Sequence, residues 1–227
     1  NPFRINPLSK VVDEIVDFDR VRRCVDMGVF ISATNVETGR ARIFSRDEIS
    51  LDSTMASACL PYMYQSVEID GAPYWDGGYM GNPPLFPFFH GSPSNDIVIV
   101  QINPVERRGT PRSASEIQNR INEITFNSSL QHELRSIDFV RRLLDAGQLD
   151  EKKYRRMNVH VIDICPELSK LDASSKLNAE WAFLEHLFKL GRKTAGDWMA
   201  ANFDNLGVRS SSNIGSMFGG VAALPEV

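Results

Sequence analysis

From Val29 to Thr34 the chain reads Val-Phe-Ile-Ser-Ala-Thr behind Gly28, a β-branched and aromatic run that predicts a buried strand. Glu37-Thr38-Gly39 is a turn signal and Ala41-Arg42-Ile43-Phe44 its returning arm, so a hairpin is expected. A second hairpin is predicted around Asp70-Gly71, with Val67–Ile69 and Ala72–Trp75 as arms. The continuous apolar run Ile97-Val98-Ile99-Val100-Gln101-Ile102 has the pattern of a strand buried on both faces in a parallel sheet, and Val159 to Ile164 predicts another strand.

Helical periodicity lies between these strands. Ile15, Val16, Phe18, Val21 and Val25 predict one or two helices within residues 1–27. Asp52 is positioned to cap a short helix that runs to Cys59 and stops near Pro61. Ser113-Ala114-Ser115-Glu116 fits a capping box, and the stripe Ile117, Ile121, Ile124, Leu130, Leu134, Ile137, Val140, Leu144 follows it up to Gly147. Trp181 to Leu190 predicts a helix ending at Gly191, with a further one from Trp198 to Phe203. Alternating strands and helices define an α/β fold with a largely parallel sheet. There is no internal repeat; residues 1–209 are expected to form one domain, and the Ser/Gly-rich residues 210–227 a mobile tail.

Composition narrows the function classes. With 227 residues, 42% of them apolar, and a net charge of −4, the chain can bury a sizeable core. No window approaches the ~20 apolar residues of a membrane span. The mild acidity argues against a nucleic-acid partner, because phosphate binding needs a basic surface. A signal peptide is not expected, since no basic start precedes an apolar run. Cys24, Cys59 and Cys165 are odd in number and widely spaced, which points away from disulfides and zinc and toward a reducing cytoplasm. The basic runs Arg107-Arg108, Arg141-Arg142 and Lys152-Lys153-Tyr154-Arg155-Arg156 could meet anionic lipid head groups at a membrane surface, although interspersed acids make solvated faces the plainer reading. No glycine-rich phosphate loop is present.

The chemistry concentrates at Trp75-Asp76-Gly77-Gly78-Tyr79, where a predicted strand gives way to a loop. In α/β sheets, sites form at the carboxyl ends of strands. An Asp placed there can take the proton of a serine hydroxyl, and the glycines let another segment approach closely. The competing reading is a tight turn, since Asp-Gly-Gly is also turn sequence. His90, His132, His160 and His186 are scattered, none beside a catalytic partner in the sequence, and Ser57 lacks flanking glycines, so packing is its expected role. Met55, Met63 and Met80 could line an acyl pocket or simply fill a core.

The surrounding residues carry a resemblance. Ala56-Ser57-Ala58-Cys59-Leu60-Pro61, then Asp70-Gly71 through Asp76-Gly77-Gly78, then Asn82-Pro83 resemble the second half of the patatin-like phospholipase family. Ile31 to Arg40 and Leu187-Phe188-Lys189-Leu190-Gly191-Arg192 look like a bacterial branch of it, so that the likeness runs from about Pro2 to Asn213. The resemblance implies a three-layer α/β fold and a serine lipid acyl hydrolase acting on acyl-ester substrates without cofactor. It implies Asp76 as the general base of a Ser–Asp dyad, with Gly77 and Gly78 completing the motif. The family's other half, a Gly-x-Ser-x-Gly elbow preceded by a glycine-rich oxyanion loop, is not found in these 227 residues; Phe218-Gly219-Gly220-Val221 is misplaced for the loop and lacks its basic residue.

Without the elbow's strand and helix the sheet is expected to lack its N-terminal strands and to expose apolar surface. Three explanations are open: a nicked protein with a companion piece carrying Gly-x-Ser-x-Gly, a longer chain of which this is part, or a self-sufficient fragment. The first two agree best with the core argument. The alternative function is a non-catalytic interaction module that keeps the fold without a nucleophile. In the hydrolase reading a free Asp titrates near ~3.9 and is a weak base at neutral pH, so the dyad depends on geometry and desolvation.

Overall fold

The structure is a computed structural model that describes residues 6–107, 109–163, 168, 171, 175 and 178–218. The chain divides into two compact units, Asn1–Ser92 with Ser128–Glu133, and Pro93–Asn127 with Leu134–Val227.

The first unit opens with two short helices. Helix α1, Pro7–Ile15, starts with proline in its first turn and is capped by the Asn6 side chain, which accepts from Leu8 N at 3.1 Å. Helix α2, Phe18–Arg23, is capped in the same way by Asp17. The predicted hairpin follows: β1, Phe30–Asn35, pairs antiparallel with β2, Ala41–Ser45, from Phe30↔Ser45 to Thr34↔Ala41. Asn35 Oδ1 gathers the Glu37 and Thr38 amides in the turn, and Gly39 takes a φ of 64° there.

Helix α3, Leu51–Ser57, is capped by Ser50 rather than Asp52. Ser50 Oγ accepts from Ser53 N at 3.2 Å and Ser53 Oγ accepts from Ser50 N at 2.9 Å, a reciprocal pair that leaves Asp52 inside the first turn. The second hairpin joins β3, Val67–Ile69, to β4, Ala72–Asp76, through Asp70 at φ 53° and Gly71 at φ 76°. Two consecutive positive φ values are what a two-residue turn matched to strand twist requires. The four strands lie in the order β2-β1-β4-β3, all antiparallel. Ala33, Phe44, Ile49, Ala56 and Tyr74 form the core against this sheet, with Phe44 and Tyr74 edge to face at 5.7 Å. Helix α4, Phe86–Gly91, ends the first stretch of the unit.

The second unit contains the parallel pair. Strand β5, Asp96–Val100, lies beside β6, Asn158–Ile162, in register from Asp96↔Asn158 to Val100↔Ile162. Between them in sequence runs α5, Ala114–Asp145, opened by the predicted Ser113/Glu116 capping box and followed by Gly147 at φ 67°. Leu130, Leu134, Ile137 and Leu144 of its stripe are buried, whereas Ile117, Ile121 and Ile124 are exposed. The last element is α6, Trp181–Asn202.

The α/β class therefore holds, but the sheet reading changes. Among the described residues, parallel pairing joins only β5 and β6, because turns too short for a crossover link the strands within each of the other two hairpins. Strand β5 is buried on one face, by Ile97 and Ile99; Val98 and Val100 are 45% and 67% exposed, contrary to the two-sided burial predicted. Helix α6 runs through Gly191 and Gly196 instead of breaking. A glycine inside a helix costs about 1 kcal/mol relative to alanine, less than giving up the hydrogen-bond ladder on either side of it.

His160 on β6 is fully buried in a complete network. The Ser211 amide donates to its Nδ1 at 3.3 Å and Ser211 Oγ lies 3.0 Å from the same atom, so the proton sits on Nε2, 3.0 Å from Asp96 Oδ1. Asp96 also accepts from the Gly207 amide and Asn158 Nδ2. Burial pushes the Asp96 carboxyl up, but these hydrogen bonds outweigh it and hold the group below the usual carboxylate range. Ser210 and Ser212 accept from the Val159 and Val161 amides, so this part of the expected tail is tied along β6. Residues 219–227, with Cys165 and Ile164, lie outside the described residues.

Candidate active site

Asp76 closes β4 in the first unit, where the chain turns into the 3-10 segment Gly77–Tyr79. Its backbone is held on both sides. The Asp76 amide donates to the Cys59 carbonyl at 2.9 Å, and the Asp76 carbonyl accepts from Thr34 Oγ1 at 2.8 Å. Ala33 of β1 is its cross-strand partner. The carboxylate bends back so that Oδ1 accepts from Gly78 N at 2.6 Å, which fixes the orientation of the side chain.

Gly77 is required by close approach. A Cβ at this position would overlap the Ser32 carbonyl oxygen and come within 2.6 Å of its carbon and 2.8 Å of Ser32 Cβ. Gly81 is confined in the same way by Pro84, whose Cβ would lie 2.7 Å away. The loop between β4 and α4 is tied down by Ser129 Oγ, which accepts from Asn82 N at 3.3 Å, and by Glu133, which accepts from Leu85 N at 2.6 Å. Burial raises the Glu133 carboxyl above its usual range, with the Leu85 and Phe86 amides opposing.

These elements enclose an open cleft of about 430 Å³. Asp76, Gly77 and Gly78 line it together with Ser32, Ser57 and Asn82, and an apolar wall faces them. The structure thus brings Asp76, Gly77 and Gly78 together in one cleft, whereas Met55, Met63 and Met80, considered above for an acyl pocket, do not line it. The Ser32 hydroxyl, shut off from solvent, has no hydrogen-bond partner among the described residues. The charge of Asp76 is felt nearby: burial first, then Asp76, pushes the Tyr79 phenol and the Cys59 thiol up, the latter opposed by a backbone hydrogen bond at Val67. Cys59 is buried and its Sγ lies 3.1 Å from the Gln65 carbonyl, a packed thiol rather than an exposed one.

Sequence reasoning missed Ser32, Gly81 and the phenylalanines Phe30 and Phe88 in the wall, and assigned Ser57 only to packing. Ser32 stands 44 positions before Asp76 in the chain, and no local pattern marks it. The glycine at position 81, close before Pro83-Pro84, was the one available signal of a confined loop. The four histidines take no part in the lining of this cleft.

Fold and cleft together define an α/β protein with an oriented carboxylate at a strand terminus, in a cleft that apolar side chains also line. The family model described as Patatin-like phospholipase matches residues 2–89, a segment that contains β1 to β4, Asp76 and the Asn82-Pro83 loop. The resemblance to that family is thereby established over these residues, which span the cleft-lining elements up to Phe88; Leu187 to Arg192 lies outside the match. No curated protein matches the chain. No helix among the described residues is long and apolar enough to cross a membrane.

Proposed function

We propose that this chain carries the general-base half of a patatin-like serine lipid acyl hydrolase. Asp76 takes the proton from a serine hydroxyl as that oxygen attacks the ester carbonyl, and later activates the water that releases the acid. Gly77 and Gly78 shape its surroundings, and the nucleophilic serine belongs to a Gly-x-Ser-x-Gly segment outside these 227 residues, since none occurs within them. The observation that supports this most is the oriented Asp76 carboxylate in the cleft, inside the segment that matches the family. No cofactor is needed for the reaction. Leu60, Tyr62, Met63 and Met80 are exposed along the chain next to the motif, a pattern suited to peripheral contact with a lipid surface, where the substrate esters are found.

The test is Asp76→Asn, which keeps size but removes the charge and the proton-accepting role. Turnover of a short-chain p-nitrophenyl ester is expected to fall by about 10²–10⁴-fold, with thermal unfolding little changed. A fluorophosphonate should label a serine outside residues 1–227. A variant retaining more than half of wild-type turnover would reduce Asp76 to a turn residue.

A further inference from the structure

The apolar wall of the cleft has a defined end. Phe30, at the start of β1, and Phe88, in α4, meet edge to face with ring centroids 5.6 Å apart and an interplanar angle of 81°. Both line the cleft with Ile31, Ile43 and Pro87. Behind Phe30 stands Gly91, where a Cβ would come within 2.9 Å of Phe30 Cζ, so the ring rests directly on the α4 backbone.

Strand β1 supplies a ruler. Ala33 is paired with Asp76, and Phe30 lies three residues earlier on the same strand. At ~3.3 Å per residue the wall extends about 10 Å from the level of the carboxylate to the ring pair. A saturated chain with carbon–carbon bonds of ~1.5 Å advances roughly 1.3 Å per carbon in zigzag, so about eight carbons span that distance. An ester with its carbonyl at Asp76 would lay its acyl chain along β1 toward the rings.

We propose that the Phe30–Phe88 pair closes an acyl subsite and sets a preference for medium-chain esters of about eight acyl carbons. This rests on the hydrolase reading above. Phe30 and Phe88 are specificity-determining positions in it, and Gly91 fixes where the Phe30 ring stops.

The experiment measures kcat/KM on p-nitrophenyl butyrate, octanoate, laurate and palmitate with the full-length protein containing residues 1–227. Wild type is expected to peak at octanoate. Phe88→Ala and the milder Phe88→Leu remove half of the stop and move the peak to laurate or palmitate, with a gain of about tenfold or more on the longer ester, as for a pocket that gains room for methylenes. Gly91→Ala pushes the Phe30 ring into the cleft and moves the peak to butyrate. An optimum that stays in place in all three variants, while turnover still depends on Asp76, overturns the subsite and leaves the hydrolase reading standing. Wild-type protein that turns over none of the four esters overturns the hydrolase reading, and the subsite with it; turnover that survives Asp76→Asn removes Asp76 from the reaction and with it the point from which the subsite length is measured.

Discussion

Gly77→Ala tests whether the site is built on contact between β1 and the turn after β4. The added methyl would overlap the Ser32 carbonyl oxygen and sit 2.6 Å from the carbonyl carbon, about 0.8 Å inside ordinary contact. These neighbours are main chain, and β1 lies between β2 and β4 in the sheet, so no side chain can swing aside to relieve the overlap. Overpacking of a closed interior costs about 1–3 kcal/mol, and a backbone obstacle places this case near ~3. With a urea m-value of ~1–3 kcal/mol/M, the unfolding midpoint should fall by about 1–3 M. Trp75, the residue before Asp76, is a fluorescence reporter within the affected strand. Because the same shift moves Asp76 away from the Gly78 amide, ester turnover should fall further than the folded fraction does. Gly196→Ala is the control: nothing lies within 4 Å of its Cβ position in α6, and it should be neutral or stabilising by up to ~1 kcal/mol. A Gly77→Ala protein with a midpoint within about 0.2 M of wild type and full turnover would refute the close approach.

Other outcomes follow from single interactions. Ser32→Ala should leave stability unchanged or raise it slightly, because the hydroxyl it deletes is buried without a partner, whereas Ser53→Ala, which breaks the reciprocal cap of α3, should cost about 1 kcal/mol; urea titrations of both variants check this. The carboxyl of Asp96 is held below its unfolded value, so its contribution to stability is present above about pH 4 and is lost as pH falls through the lower folded value. Asp96→Asn should flatten that acid limb of the stability curve, and a curve of unchanged shape would show that the His160 network does not hold the charge.

Much of the local structure was legible in the chain. The Asp70-Gly71 turn set the β3–β4 hairpin and with it the position of Asp76 at a strand end; Ser113 and Glu116 opened α5; Gly39 marked the first turn. Such features depend on a few adjacent residues whose φ preferences and capping hydrogen bonds act without help from the rest of the fold. For the same reason the errors were local signals overruled: Ser50 displaced Asp52 as the α3 cap through its reciprocal bond with Ser53, and Gly191 continued α6 instead of ending it.

Tertiary structure decided what the site is made of. That Gly77 must lack a side chain follows from the Ser32 carbonyl of another strand, and that Phe30 meets Phe88 follows from α4 folding back on β1. Which face of β5 is buried, and the enclosure of His160 by Ser211, Asp96 and Trp198, likewise depend on segments dozens of residues apart. An alternating or continuous apolar pattern states that a residue can be buried, but only the packed partner determines whether it is. The sequence by itself placed a carboxylate at the end of a strand; the fold gave it a fixed orientation and an apolar wall, because steric exclusion and hydrogen bonding between distant segments exist only once the chain has closed on itself.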